Sequence, residues 1–478
     1  MTFQTAAAGC GGFDTVLRLV PAGTKIAFSD KRLQAAYDAV YAADDLRPAH
    51  AETVSLRLPM GGGFADVLVT GFDNDADDPY DALRKVFAQW GDRLAGKKRA
   101  NVLVDALDAL TFLSEDEALL QLAATLPLSL YRFDRYLSAP RPVPEIAVTV
   151  QTANEAALKE GLLLAEGVMH ARDLVNMTAE ELTPAAMAER CAELGREYGF
   201  ETEIFGKAEC EAMGMGLLLA VARGSVNEPK FIVMRWNGGP AEEAPVAFVG
   251  KGVTYDTGGL AIKTGGSMTS MRFDMNGGAS VIGAMCAVAG MRLPHNVVAV
   301  VAACENAVDA NSYRNGDVYR AMNGKTVFVQ NTDAEGRLSM ADAITWCVQN
   351  AKPSEILEVA GLTGSVCNFY GSVCAAALTR TQRLFDRVAS LSPLTGELYA
   401  QMPSFPAYRN LLKTQWADLN NSPKGGPGGI LAGMFLDCFA EDVPFLHIDY
   451  GAMPFTGERG GTGFGVKTLY RYIKTLAD

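Results

Sequence analysis

Histidine is scarce in this chain: there are four in 478 residues, His50, His170, His295 and His447. A zinc centre built from imidazoles is therefore not expected. Positive charge is also in deficit, with 42 Lys and Arg against 55 Asp and Glu and a formal net charge of -13. Without a basic run, nucleic acid is not expected as a partner, because phosphate binding draws on clustered Lys and Arg. C-x-x-C pairs are missing too. The nine cysteines, scattered from Cys10 to Cys438, read as free buried thiols in a reducing compartment. Cys367 and Cys374, the closest pair, read as core and not as redox partners. The first thirty residues carry no basic segment followed by an apolar core, since Arg18 and Lys25 come late and polar residues interrupt, so no secretory signal is expected. The longest uncharged stretch, 275–291, is short and glycine-rich, which suits a buried helix and not a membrane span. A cytoplasmic protein with no membrane partner is the expectation.

What is present describes a globular chain. Hydrophobic residues make up 49% and charged residues 20%, the balance of an ordinary folded protein. The length exceeds one hydrophobic core, so two domains are expected. Strand-like runs (15–20, 53–59, 65–72, 101–107) alternate with helix-like ones at 31–45 and 80–94, the pattern of an α/β domain with a largely parallel sheet. The pattern breaks around Pro140, Pro142 and Pro144, a composition typical of a domain boundary. A long helical segment follows at 153–175. Thr183-Pro184 then reads as a helix start, and short continuous apolar runs at 231–236, 246–249, 297–303 and 356–360 suit strands buried on both faces of a sheet. The expected fold class is α/β: a smaller N-terminal α/β domain (1–150), a linker helix (151–175), and a larger catalytic α/β domain (176–478) with a mixed, mostly parallel central sheet.

Two segments carry chemistry. Residues 331–338 read Asn-Thr-Asp-Ala-Glu-Gly-Arg-Leu. They follow a strand-like run (326–330) and precede a helical pattern (338–350), and loops at strand ends are where catalytic groups collect. Residues 249–278 present Lys251, Asp256, Lys263 and Asp274 among Gly252, Gly258, Gly259, Gly265 and Gly266, a glycine content that reads as a loop allowing close backbone approach to a ligand. Neither segment contains a histidine. Four carboxylates, Asp256, Asp274, Asp333 and Glu335, are expected at the ends of elements of one sheet. Brought together they would raise one another's pKa values unless cations neutralise them. Divalent metals are the economical solution, and an oxygen-rich set accepts Mn²⁺, Mg²⁺ or Zn²⁺. Singly, each feature has an ordinary reading. Asp333 and Glu335 suit the first turn of a helix, where the macrodipole favours acids; the lysines suit a solvated surface; Arg337 suits an ion pair. The patch 425–429 fits no phosphate-binding fingerprint and reads as a tight loop.

Taken jointly, the octapeptide NTDAEGRL and the ordered set K-x-x-x-x-D-x-x-x-x-x-x-K followed by Asp274 resemble the leucyl aminopeptidase family of two-metal cytosolic aminopeptidases, including its peptidase B-like members. The resemblance spans essentially the whole second domain. It implies a metal-dependent aminopeptidase that hydrolyses the N-terminal peptide bond of peptides, assembled as a homohexamer. It implies that Asp256 and Glu335 bridge two divalent ions, Zn²⁺, Mn²⁺ or Mg²⁺, that Lys251 and Asp274 complete one position, and that Asp333 completes the other. Lys263 is then implied to stabilise the oxyanion, and Arg337 to hold a bicarbonate that relays a proton. Met271, Asn331 and Leu362 are the residues implied to meet the substrate. The chain departs from the family pattern at Gly361, where threonine is usual, at Gly451-Ala452-Met453-Pro454 after Asp449-Tyr450, where D-I-A-G is common, and at Asn176-Met177-Thr178, which lacks the usual proline. These departures bear on side-chain preference and leave the metal set untouched. Alternative readings are a dipeptidase acting on a substrate such as Cys-Gly and a DNA-binding regulatory relative. All seven expected residues are present, which speaks against a pseudoenzyme.

Overall fold

The computed structural model describes residues 1–5, 12–61, 63–264, 266–456 and 460–476; Cys10 and Gly265 lie outside the described residues. The chain divides into two compact units, Met1–Ala165 and Glu166–Asp478.

The first unit is built on six strands: β1 (Thr2–Thr5), β2 (Thr15–Pro21), β3 (Thr53–Met60), β4 (Gly63–Phe72), β5 (Arg99–Val104) and β6 (Glu145–Val150). Their spatial order is β1-β6-β5-β2-β4-β3. All neighbours are parallel except β3 and β4. Central β2 shows why its run is continuously apolar. Side chains alternate across the sheet, so Leu17 and Leu19 join the cluster containing Phe87 and Trp90. Val16 and Val20 join the cluster on the other face with Leu33 and Tyr37. Helices Lys31–Tyr41, Pro79–Ala95 and Glu115–Leu130 supply those two covers. The first ends four residues short of the 31–45 expected from the sequence.

The helix expected at 153–175 runs Glu155–Asn176. Beyond it the second unit adds β7 (Glu201–Phe205), β8 (Lys230–Asn237), β9 (Val246–Asp256), β10 (Asn296–Asn306), β11 (Val318–Arg320), β12 (Thr326–Phe328), β13 (Glu355–Ala360), β14 (Ala375–Thr379), β15 (Tyr399–Gln401), β16 (Leu419–Asn420) and β17 (Phe445–Asp449). Eight of these make a mixed sheet in the order β15-β14-β17-β13-β9-β10-β8-β7. Its centre, β17-β13-β9-β10, is parallel, while β14–β17, β10–β8 and β8–β7 are antiparallel. The remaining three form a separate small sheet, β11-β12-β16.

Two differences from the sequence reading matter for the site. The strand beginning at Val246 does not end at Val249 but continues to Asp256, so Lys251 and Gly252 are strand residues and not loop residues. The glycines there serve packing. The helix Asn276–Gly290, buried along 276–289, lies so close to the sheet that a Cβ on Gly277 would come 1.9 Å from the Val359 carbonyl and 2.8 Å from the Lys251 amide. Secondly, the strand before the octapeptide is β12, which belongs to the small sheet. The four carboxylates therefore do not all hang from one sheet, as expected, but from elements of different sheets.

Candidate metal centre

Lys251 lies within β9 and Asp256 ends it, each almost fully buried. Asp256 is in register with Asn306 at the end of β10, and the Asn306 side-chain amide donates to Asp256 Oδ1 at 2.8 Å and to the Thr332 carbonyl at 3.0 Å. One amide thus ties the strand end to the octapeptide. Thr332 adds to the tie by donating to the Gly258 carbonyl and accepting from the Ala261 amide, both at 2.8 Å, and Tyr313 donates to the Thr332 carbonyl at 2.6 Å. From the other side Asn421 accepts from the Gln330 amide at 2.8 Å and donates to the Asn331 carbonyl at 2.7 Å. The Asn331 side-chain oxygen accepts from the Asp333 amide at 3.0 Å, an Asx turn that sets the direction of Asp333. Asp274 caps the end of a 3₁₀ turn, Ser267–Phe273, and Glu335 precedes the helix Gly336–Trp346.

These elements bring six charged groups together. Lys251 Nζ lies 2.7 Å from Asp274 Oδ2, 2.7 Å from Glu335 Oε1 and 3.2 Å from the Gly361 carbonyl. Lys263 Nζ lies 2.8 Å from Asp256 Oδ2 and 2.6 Å from Asp333 Oδ1. Carboxylate oxygens of Asp256, Asp333 and Glu335 fall within 4.8 Å of one another. Two ammonium groups do not balance four carboxylates. Burial pushes Asp256 up to about 6, with Glu335 adding to the rise; burial likewise raises Asp274 and Asp333. Burial opposes the charge of Glu335 as well, but Lys251 and Lys263 hold it below the usual range. Burial works against both ammonium groups, yet the surrounding carboxylates keep both lysines above theirs. Glu335 Oε2 is enclosed and has no hydrogen-bond partner. A site short of positive charge, with an enclosed carboxylate oxygen left over, fits divalent cations; the mainly oxygen donor set suits hard ones.

Arg337 is buried beside this cluster, and burial lowers its pKa to about 10. One of its terminal nitrogens donates to the Asn421 carbonyl while its Nε has no hydrogen-bond partner. Met271 is half-buried in the 3₁₀ turn, and Leu362 is half-buried after β13 with its amide donating to Asp449 Oδ2 at 3.3 Å. The carbonyl at Lys251 is that of Gly361, one residue before Leu362. Gly361 leaves no free space: a Cβ there would come 2.4 Å from Cε2 of Tyr450, whose ring fills that position. Residues 249–278 and 331–338 are thus joined as the sequence suggested. Asn306, Thr332, Tyr313, Asn421 and Tyr450 were not singled out as members of the site. Asn306 carries a faint signal, a polar residue closing an apolar strand, whereas Asn421 is brought in only by the pairing of β16 with β12.

Comparison with known proteins fits this geometry. Residues 169–470 match the catalytic domain of the cytosol aminopeptidase family, and residues 17–140 match that family's N-terminal domain. The chain belongs to the cytosol aminopeptidase family. It is a metallo-exopeptidase of this divalent-metal-dependent family, whose substrates are peptides. A probable cytosol aminopeptidase of Clostridium perfringens is 35% identical over 443 residues, covering 89% of this chain and 90% of the relative. One from Fusobacterium nucleatum is 41% identical over 352 residues, covering 72% and 73%. Among solved structures, the bottromycin maturation enzyme BotP in complex with Mn superposes with a TM-score of 0.86 at 29% identity, covering 98% of this chain and 100% of that one. Among the described residues of this family member, no helix is long and apolar enough to cross a membrane.

Proposed function

We propose that this aminopeptidase holds two divalent cations in the cluster and releases residues one at a time from the N-terminal end of peptides. The observation that carries the reading is the convergence of Asp256, Asp333 and Glu335 oxygens within 4.8 Å, with Glu335 Oε2 unpartnered. Asp256 and Glu335 would be shared by both positions, Lys251 and Asp274 would complete one, and Asp333 the other. Bound there, the cations supply Lewis acidity and bring the pKa of a water toward neutrality. Lys251 has to be neutral to ligate. Lys263, held protonated by Asp256 and Asp333, would stabilise the oxyanion that develops at the scissile carbonyl. Arg337, with an unpartnered Nε, would hold a bicarbonate as the proton acceptor that no side chain of the cluster offers; a guanidinium fork suits such an anion. Asp274 and Asp333 would meet a free α-amine, which would restrict cleavage to a chain terminus. Met271 and Leu362 would line the side-chain pocket, with Asn331 positioning Asp333.

Manganese is the first choice of cation because a solved relative is described with it; zinc is the second. A cytoplasmic location accords with the relatives' name and with the eight described cysteines all being free thiols. A homohexamer accords with the exposed Phe369, Phe405 and Trp416 of the second unit, which assembly would cover. The test is hydrolysis of an aminoacyl-anilide panel, and of free and N-acetylated peptides, by protein stripped with a chelator and reloaded with Mn²⁺ or Zn²⁺. Metal-dependent release from free N-termini alone is expected. Absence of metal-dependent turnover on every panel member would overturn the proposal.

A further inference from the structure

The peptide plane between Gly361 and Leu362 is gripped on both of its edges. Its carbonyl, that of Gly361, accepts from Lys251 Nζ at 3.2 Å. Its N–H, that of Leu362, donates to Asp449 Oδ2 at 3.3 Å. A trans peptide unit is flat, with these two groups on opposite edges, so holding the N–H also fixes where the carbonyl points. The grip matters because residue 361 is glycine, whose backbone turns more freely than that of any other residue. No side chain can restrain it there, since a Cβ at 361 would come 2.4 Å from Cε2 of Tyr450.

Asp449 is placed for this task by the sheet. It ends β17, is fully buried, and in the parallel ladder stands opposite Ala360, the last residue of β13 and the one before the plane. The Tyr450 amide donates to the Ala360 carbonyl at 2.9 Å and carries the pairing one step further. Each carboxylate oxygen of Asp449 then has its own amide. Oδ1 accepts from Gly451 at 3.1 Å, closing an Asx turn, and Oδ2 reaches across to Leu362. Asparagine would close the same turn without burying an acid, but it has one acceptor oxygen and would turn its NH₂ toward the Leu362 N–H. The second contact is what requires the acid.

We propose that Asp449 is a positioning residue for substrate selection: by holding the Gly361–Leu362 plane it sets the direction in which Leu362 meets the N-terminal side chain of the peptide. The inference rests on the reading of Leu362 as a pocket residue given above. Asp449 acts through Leu362 and takes no part in the chemistry.

Asp449→Asn is nearly isosteric and keeps the Asx turn, so it tests the second contact alone. In Mn²⁺-loaded enzyme the ratio of kcat/KM for leucyl-anilide over alanyl-anilide should fall ~10-fold, through KM, because a leucyl side chain would extend to Leu362 and a methyl group would not. Both kcat values and the bound Mn²⁺ should match the wild type. An ester at the 361–362 linkage, made by incorporating the α-hydroxy analogue of leucine at 362, removes the N–H and leaves Asp449 in place; it should lower the ratio to a similar extent, and it decides the matter should Asp449→Asn fail to fold. If either folded, Mn²⁺-loaded variant keeps the wild-type ratio, or loses kcat equally on both substrates, the proposal falls. A wild type without metal-dependent turnover would instead overturn the aminopeptidase reading itself.

Discussion

The side chain of Lys251 crosses directly over Gly336, the first residue of the helix that follows the acidic octapeptide: a Cβ at 336 would sit 2.4 Å from Lys251 Cε and 2.8 Å from Nζ. The glycine in A-E-G-R is therefore there for the lysine and not for a turn. Gly336→Ala should gain helix propensity, up to about 1 kcal/mol, while pushing a flexible side chain aside. We expect a melting temperature near that of the wild type, with Mn²⁺ affinity and turnover both lowered by ~10-fold. Parallel melting curves and Mn²⁺ titrations check it. Unchanged affinity would mean that Lys251 does not act from where it lies.

Lys263 bridges Asp256 and Asp333, and if it acts on the substrate as proposed its removal should separate chemistry from metal loading. Lys263→Ala is expected to lower kcat by ~10²-fold or more, the loss typical of one oxyanion donor, while retaining bound metal. Metal content of the gel-filtered variant, measured beside its kcat and KM, distinguishes this from simple loss of the centre.

Arg337 combines an occupied terminal nitrogen with an idle Nε. Arg337→Lys keeps a positive charge and loses the planar fork. Wild-type turnover in carbonate-depleted buffer should rise on adding bicarbonate, and the variant should be ~10²-fold slower and indifferent to it. A variant that responds to bicarbonate like the wild type would remove Arg337 from that role.

Outside the site, His170 makes a pH prediction. Burial, with a smaller push from Arg190, lowers its pKa from 6.5 to about 4, and its Nε2 pairs with the Tyr198 hydroxyl at 2.9 Å, which itself donates to Glu166 at 3.0 Å. The folded state thus holds it neutral where the unfolded chain would protonate it. Its contribution is complete above pH 6.5 and is lost as pH falls toward 4. Allowing for partial exposure, the loss at pH 5 is on the order of 1–2 kcal/mol. His170→Gln should flatten the fall in melting temperature between pH 6.5 and 4.5 in chelator-treated protein; an unchanged slope would assign it to other groups.

That the charged residues of 249–278 and 331–338 would come together was legible, because their order along the chain is itself distinctive, but their setting was not. Gly250 and Gly252 made β9 look as though it stopped at Val249. In fact a Cβ at Gly250 would come within 2.5 Å of the Gly277 carbonyl, so the glycines are demanded by a helix lying flat on the strand. Local composition cannot distinguish that from a loop, because the partner lies 27 residues away. The run at 326–330 was visible as a strand, yet its sheet depends on pairing Val327 and Phe328 with Leu419 and Asn420, a contact with no local trace. Gly361 read as a change in the side-chain pocket, whereas the Tyr450 ring fills the space beside it, a contact across 89 residues with no local trace.

The separation of β12 from the central sheet has a consequence for how the enzyme holds together. Lys251 and Asp256 ride on β9, whereas Asp333 and Glu335 hang beyond β12, and among the described residues no backbone ladder joins the two sheets. Cations held between them as proposed would act as a clasp, with part of their binding energy spent as local folding energy. The amides of 326–335 should then exchange with deuterium far more slowly in Mn²⁺ than in chelator, while the interior of β9 stays protected in both. In this enzyme, metal scarcity would be felt first as a loosened segment and only afterwards as lost catalysis.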